Sequence, residues 1–270
     1  MVFQMESRTL KILYNKEVSP GYFRLGLEWK APRIFAGNFV MLRVSDGLDP
    51  LLRRPLGIYK VLGPVGKAGT KGNGVELLYR VAGKGTKILS LREPGEHINV
   101  LGPLGNGFPD PGRGKKALMV AGGMGIVPMY LLAGRLPSST LLFGAGGARE
   151  AGIAKDFKGL GCTIKISTED GSVGEKGLVT ALLKEEITPC SVIYACGPEG
   201  MLKAVSKIAH EAGVRSYVSL ERSMACGIGV CLGCAVKSKE HGAQENKNYR
   251  MVCSDGPVFD GAEIDWELFQ

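Results

Sequence analysis

The run Cys226-Gly-Ile-Gly-Val-Cys231-Leu-Gly-Cys234, joined by Cys253, limits what this chain can become more than any other stretch. Four of its seven cysteines fall there, spaced C-x4-C-x2-C and then C-x18-C. That is the plant-type ligand run for a [2Fe–2S] cluster, in which four thiolates hold two bridged irons. The interleaved glycines let the backbone curl tightly and turn amide N–H groups toward sulfur. Two other uses of four thiols remain open at this point. Structural zinc usually takes four thiolates as two C-x2-C pairs, which the x4 gap fits poorly. Disulfides need an oxidising compartment, and the opening residues Met1-Val-Phe-Gln-Met-Glu are neither basic nor long and apolar, unlike a secretory leader. The expectation is four metal-ligating thiols, Cys226, Cys231, Cys234 and Cys253, around a carrier of single electrons.

With 270 residues, 44% of them hydrophobic, the chain can bury more than one core. No apolar run approaches the roughly 20 residues that cross a bilayer, so no membrane insertion is expected and the chain reads as cytoplasmic. The net charge of +8 raises the question of nucleic acid. Its Lys and Arg are scattered, however, and no nucleic-acid motif appears, which argues against that class of partner. A diffuse positive field suits phosphate-bearing cofactors or an acidic protein equally well.

The hydrophobic rhythm divides the chain into three parts: residues 1–110, 111–220 and 221–270. In the first, Thr9–Tyr14, Tyr22–Trp29, Asn38–Val44, Leu56–Val61 and Val75–Val81 are short, alternating or β-branched, and are separated by turn-rich connections such as Asp46-Gly47 and Gly63–Gly74. That spacing predicts a small antiparallel barrel, ended by a Gly/Pro-rich linker at Gly102–Gly107. From Lys116 the rhythm changes. Ala117–Ala121 is a continuous apolar run, followed by a glycine loop and a helical pattern through Met129–Leu136. Thr140–Phe143, Cys162–Ser167, Ser191–Ala195 and Ser216–Leu220 are further buried-strand candidates, with helical segments between. This alternation predicts a doubly wound α/β domain with a parallel sheet. The last part has little periodicity and holds the cysteine run.

Two loops in the second part have the make-up of nucleotide sites. Gly122-Gly-Met-Gly-Ile-Val-Pro128 follows a strand and opens a helix, where glycines allow close approach and helix amides can hold a pyrophosphate. It departs from the ordinary G-x-G-x-x-G fingerprint, so alone it also suits a plain strand–helix turn. Cys196-Gly-Pro-Glu-Gly-Met201 closes a later strand of the same sheet, where ligands of open α/β sheets bind. Gly122, Gly123, Gly125, Cys196, Gly197 and Pro198 are therefore candidate nicotinamide-dinucleotide contacts. Cys196 also suits an inert buried thiol. Around the second strand end only Arg149 is basic, which favours NAD over NADP.

A barrel, a Gly-Gly-x-Gly-x-x-Pro loop and a Cys-Gly-Pro loop together resemble the ferredoxin–NADP reductase superfamily. Leu52-Arg53-Arg54-Pro55-Leu56-Gly57-Ile58 looks like its flavin-binding Arg-Pro-x-Ser motif. The resemblance implies that Arg54 meets the FAD pyrophosphate, with Pro55 and Leu56 beside it. Gly57 stands where that family usually has Ser or Thr near the flavin N5, which leaves a backbone N–H as the donor. Leu78, Tyr79 and Arg80 match the family's next FAD contacts, the last two by ring and guanidinium. Gly85 and Thr86 match its later contacts through loop amides. Ser219–Cys234, Val252–Phe259, Leu101–Pro109 and Asp170–Thr180 resemble, more narrowly, the electron-transfer subunit of B-type dihydroorotate dehydrogenase, over essentially the whole chain. That resemblance implies a partner subunit bearing FMN, two copies of each chain, and passage of electrons through [2Fe–2S] and FAD to NAD+ in pyrimidine biosynthesis. It requires no acid–base residue from this chain. The same architecture serves flavin subunits of transhydrogenases and sulfhydrogenases, and reductases of multicomponent oxygenases, though the last usually carry a full ferredoxin domain.

Overall fold

Alternating burial along six strands closes the first part of the chain into a barrel. The computed structural model describes residues 6–30, 33–63, 73–189, 191–239 and 248–267. The opening residues and most of the Gly63–Gly74 connection lie outside them. The barrel strands are β1 (Glu6–Ser19), β2 (Tyr22–Glu28), β3 (Phe39–Arg43), β4 (Arg54–Leu62), β5 (Gly74–Arg80) and, after helix α1 (Lys84–Ser90), β6 (His97–Leu104). They close in the order β1-β2-β5-β4-β3-β6, every pair antiparallel. Strand β6 pairs with both β1 and β3 and so shuts the barrel. Its last residues lie where the sequence reads as a Gly/Pro linker. Ile98 and Val100 point inward, and Gly102 and Pro103 hide the strand without breaking its pairing to Glu6.

The second part folds as expected of a doubly wound sheet. Strands β7 (Lys116–Gly122), β8 (Thr140–Ala145), β9 (Thr163–Thr168), β10 (Glu175–Lys176), β11 (Ser191–Cys196) and β12 (Arg215–Ser219) are parallel. Helices α2 (Ile126–Arg135), α3 (Ala148–Ala151), α4 (Val179–Glu186) and α5 (Glu199–Glu211) connect them. The order is β10-β9-β8-β7-β11-β12, and the winding reverses between β7 and β11. Both glycine loops leave the carboxyl ends of those two strands, at the switch point where open α/β sheets take ligands.

The tail does not stand apart. After a short hairpin, β13 (Ala235–Lys237) with β14 (Tyr249–Met251), strand β15 (Val258–Asp260) adds to the sheet antiparallel to β12. Leu220 N donates to Pro257 O at 2.9 Å, so both ends of the intervening loop are fixed at one sheet edge. No described helix is long and apolar enough to cross a membrane.

Barrel and sheet meet through α2 and a charged cluster. Tyr59 of β4 packs on Tyr130 of α2 with ring centroids 4.9 Å apart. Asp156, in the 3-10 turn Gly152–Phe157, accepts from Arg24 Nη2 at 2.5 Å, Tyr59 OH at 2.8 Å and Lys60 Nζ at 3.0 Å. Burial pushes the Asp156 carboxyl up, but the donors Tyr59, Lys60 and Arg24 more than offset it and hold it below the ordinary value. Tyr22 OH adds a second bridge, donating to Glu150 Oε1 at 2.8 Å.

Asp156→Asn is expected to cost about 2–3 kcal/mol at neutral pH, because three donors lose a charged acceptor in a largely enclosed site. The Asp156 carboxyl titrates below 3.8 in the folded chain, so its contribution is complete above that pH and fades as pH falls through the lower folded value. Urea unfolding at pH 7 and at about pH 3.5 should therefore show the gap between variant and wild type narrowing in acid.

Candidate functional site

The cysteine loop is shaped by what lies beneath it. Gly227 takes φ +75°, and a Cβ there would sit 2.7 Å from Met41 Cγ of β3, so only glycine lets the loop lie on the barrel. The four thiols then fall into two pairs. Cys234 and Cys253 are both 2% exposed, with their sulfurs 3.2 Å apart. Cys226 is half-buried and Cys231 exposed, and the Cys226 thiol is in hydrogen-bond range of the Cys231 thiol. Amides are aimed at sulfur: Ile228 N–H to Cys226 at 3.4 Å, Gly229 N–H to Cys253 at 3.1 Å, and Cys253 N–H to Cys234 at 3.4 Å. Burial opposes ionisation of Cys226, but amides of Ile228, Cys231 and Val230 and the Cys231 thiol outweigh it and bring the thiol down to about 6. Burial, with Cys234 beside it, pushes Cys253 up to about 12. Among the described residues, no three His, Cys, Asp or Glu side chains close around a single ion. Two separate thiol pairs with N–H donors on their sulfurs are a donor set that suits two bridged irons.

Beside this loop a cavity of about 980 Å³ opens between all three parts of the chain. That volume lies at the upper end for cofactor sites. The barrel wall carries Arg54, Pro55, Leu56, Gly57, Leu78, Tyr79, Arg80 and Thr86. Arg54 lies flat against Gly85, where a Cβ would meet its Nε at 2.2 Å, so this glycine clears room for the guanidinium. Arg54 Nη1 donates to Leu52 O at 2.5 Å and to Arg53 O at 3.4 Å, which fixes the guanidinium at the cavity wall. Thr86 Oγ1 accepts from the Ala82 and Gly83 amides, which orders the turn before α1. Tyr79 differs from its sequence-based expectation. Its ring turns into the barrel core, stacked on Phe23 with its hydroxyl on Asn15, and it borders the cavity from within the strand. At Gly57 a Cβ would lie 3.0 Å from Val127 Cγ1, so the residue lets the head of α2 close down on β4.

The glycine loops serve first to bring two strand ends together. A Cβ on Gly125 would fall 1.9 Å from the Cys196 carbonyl oxygen, and one on Gly122 would fall 2.8 Å from Pro198 Cδ. Gly197, at φ +151°, lies against the Gly122 amide. The cavity wall on this side is made by Met124, Val127, Pro128 and Cys196 rather than by the glycines. Gly122, Gly123, Gly125, Gly197 and Pro198 do not line this cavity; they lie at the adjoining ends of β7 and β11. Cys196 is buried, and burial raises its thiol well above the ordinary range.

The third wall was not legible as a site. Glu221, Arg222, Ser223 and Met224 line the cavity, as do Gly233 and Ala235, the neighbours of Cys234. Glu221 is open to the cavity but closely ringed by protein, which raises its carboxyl, with Arg80 partly opposing. Their only signals were membership of the Ser219–Cys234 resemblance and position beside the cysteine run, neither of which marks a cavity wall.

Residues 221–265 match the iron–sulfur cluster binding domain of dihydroorotate dehydrogenase B. Curated relatives match nearly end to end. The electron transfer subunit of dihydroorotate dehydrogenase B (NAD(+)) from Caldanaerobacter subterraneus subsp. tengcongensis is 37% identical over 98% of this chain and 99% of its own. That from Desulforamulus reducens is 39% identical over 95% and 97%. Among solved structures, an NADH-dependent reduced ferredoxin–NADP oxidoreductase studied for flavin-based electron bifurcation superposes with TM-score 0.80 at 28% identity, over 96% of this chain and 91% of that one. A ferredoxin reductase of carbazole 1,9a-dioxygenase, at TM-score 0.66 and 18% identity over 79% and 68%, shares the fold.

The switch-point contact can be tested by two alanines. Gly125→Ala should cost about 3 kcal/mol or more, since its Cβ must displace backbone. Gly134→Ala, inside the helix α2 that Gly125 caps and with nothing within 4 Å, should be neutral or stabilising by about 0.5 kcal/mol. Thermal midpoints of the two variants measure the contrast.

Proposed function

The chain belongs to the family of electron-transfer subunits of dihydroorotate dehydrogenase B, and we propose that it carries electrons from a separate FMN-bearing, dihydroorotate-oxidising subunit to NAD+ in pyrimidine biosynthesis. The observation that carries this reading is a shared wall. The cavity suited to a flavin is bounded on one side by Arg54–Gly57 of the barrel and on another by Met224, Gly233 and Ala235, which adjoin the thiol pairs. When bound, a [2Fe–2S] cluster and FAD supply the exchange between one-electron and hydride chemistry.

The chain's own residues hold these groups in order. Cys226, Cys231, Cys234 and Cys253 ligate the cluster, the buried pair toward the cavity and the more exposed pair toward solvent. Arg54 holds the FAD pyrophosphate as a charge-assisted donor, and Pro55, Leu56, Gly57, Leu78, Tyr79, Arg80, Gly85 and Thr86 shape the rest of that seat. Gly57 and Val127 keep the reacting edge free of side-chain hydroxyls. Gly122, Gly123, Gly125, Cys196, Gly197 and Pro198 receive NAD in the switch-point crevice. The carboxylates of Glu150 and Asp170 lie against Gly146 and Gly147, an unfavourable place for a 2′-phosphate, which supports NAD over NADP. No side chain here acts as acid or base. The division at residues 1–110, 111–220 and 221–270 then corresponds to the FAD seat, the NAD seat and the cluster seat. We place the assembly, two copies of each subunit, in the cytoplasm, where thiols stay reduced.

Three outcomes are expected. Mixed with the FMN-bearing subunit, the chain supports dihydroorotate-dependent reduction of NAD+; alone it oxidises NADH with artificial acceptors and leaves dihydroorotate untouched. Dihydroorotate turnover by the isolated chain sinks the reading. Cys253→Ala should lose iron and the visible cluster absorbance while retaining flavin; unchanged iron content would remove Cys253 from the ligand set. Arg54→Ala should weaken FAD binding by about 1.5–3 kcal/mol, read by flavin fluorescence titration.

A further inference from the structure

The loop between β3 and β4 carries three exposed leucines that no part of the site uses fully. Leu48, Leu51 and Leu52 are 85%, 68% and 48% exposed, and Ile228, Val230 and Leu232 of the cysteine loop are 37%, 75% and 64% exposed. Both loops adjoin one residue of β3. Met41 lies under Gly227, and its carbonyl accepts from Arg53 Nη1 at 3.3 Å. Both also border the cavity, one through Leu52 and Arg53, the other through Met224 and Gly233. Large apolar side chains gathered at one rim mark an interaction surface rather than ordinary solvated surface.

Area and charge decide what covers it. Burying an aliphatic side chain removes roughly 100 Å² from water, so the three of the cysteine loop supply about 300 Å². A specific interface needs about 800 Å² per partner, and the loop leucines roughly double the apolar share. Arg53 donates to neutral acceptors, Met41 O, Asn99 O and Asn99 Oδ1, and Arg43 stands close enough to repel it. The loop's two carboxylates already face cations, Asp46 lying 3.8 Å from Arg43 and Asp49 pairing with Lys84, which leaves Arg53 as the cation without a carboxylate partner among the described residues. A second copy of this chain would set two such cationic rims against each other, whereas a face with carboxylates would complement them.

Resting on the family reading above, we propose that Leu48–Arg53 is a second docking lobe for the FMN-bearing subunit, continuous with the cysteine rim and matched to an apolar patch flanked by carboxylates. Contact through two lobes fixes orientation as well as affinity, which a single contact at the rim around the thiols would not.

Affinity of the purified holo chain for the FMN-bearing subunit tests this, by calorimetric titration of wild type, Leu48→Asp, Leu51→Asp and the reference Val230→Asp. Each leucine variant should bind at least about tenfold more weakly, some 1.4 kcal/mol, while keeping the wild-type flavin and cluster spectrum and NADH oxidation with artificial acceptors. Weakening by Val230→Asp with wild-type affinity in both leucine variants overturns the lobe and leaves the family reading standing. Loss of flavin or cluster absorbance together with binding assigns the loop to the cofactor seat and also overturns it. So does a shift of the isolated chain from dimer to monomer at unchanged affinity, which makes the loop a contact between copies. A wild-type chain that binds no FMN-bearing subunit removes lobe and family reading together.

Discussion

Two thiols sealed in apolar packing anchor everything else. Cys234 and Cys253 share a hydrophobic cluster with Phe39, Met41 and Leu104 of the barrel and with Leu202, Val218 and Phe259 around the sheet. Because barrel, sheet and tail all contribute to one packed cluster, none can move without disturbing the sulfurs. Close-packed interiors transmit such displacement rather than absorbing it. This buried pair therefore keeps a fixed place relative to the cavity, which a relay of electrons requires.

The opposite demand is met on the other side of the molecule. Barrel and sheet must hold together yet leave room for a large ligand between them. Asp156, with Arg24, Tyr59 and Lys60, and the Tyr59–Tyr130 contact close the gap at one margin. Glycines at 57, 85 and 125 bring walls and strand ends close where a methyl group would hold them apart. The cavity is thus what remains between a polar clamp and an apolar seal. Its walls are set by backbone proximity as much as by side-chain chemistry.

How much of this could be read in advance varied with the physics of each element. Alternation revealed β2, β3, β4 and β5, and continuous apolar runs revealed β7, β8 and β11, because strands of five or more residues leave a visible period. The cysteine spacing was legible because ligation demands fixed intervals. Strand β6 was hidden because Gly102 and Pro103 carry turn signals while the pairing comes from β1 and β3, distant in sequence. Strands β13, β14 and β15 have three residues each, too few for any period. Tyr79 carried the right motif, but the strand's alternation sent its ring to the opposite face from Leu78 and Arg80. The stretch Glu221–Met224 lay within a family-like motif, but nothing in its residues marked it as a cavity wall, since that role comes from where the tail crosses.

That crossing also dictates an order of assembly. The tail becomes settled only once β12 offers an edge to β15 and β3 offers Met41 to Gly227. Both surfaces belong to parts that emerge earlier during synthesis, and such units generally fold first. Until then Cys226, Cys231 and Cys234 lie on one unanchored stretch and Cys253 is remote from them. Gathering of the four thiols is accordingly a late step of folding, one that follows formation of the barrel and the sheet on which the tail rests.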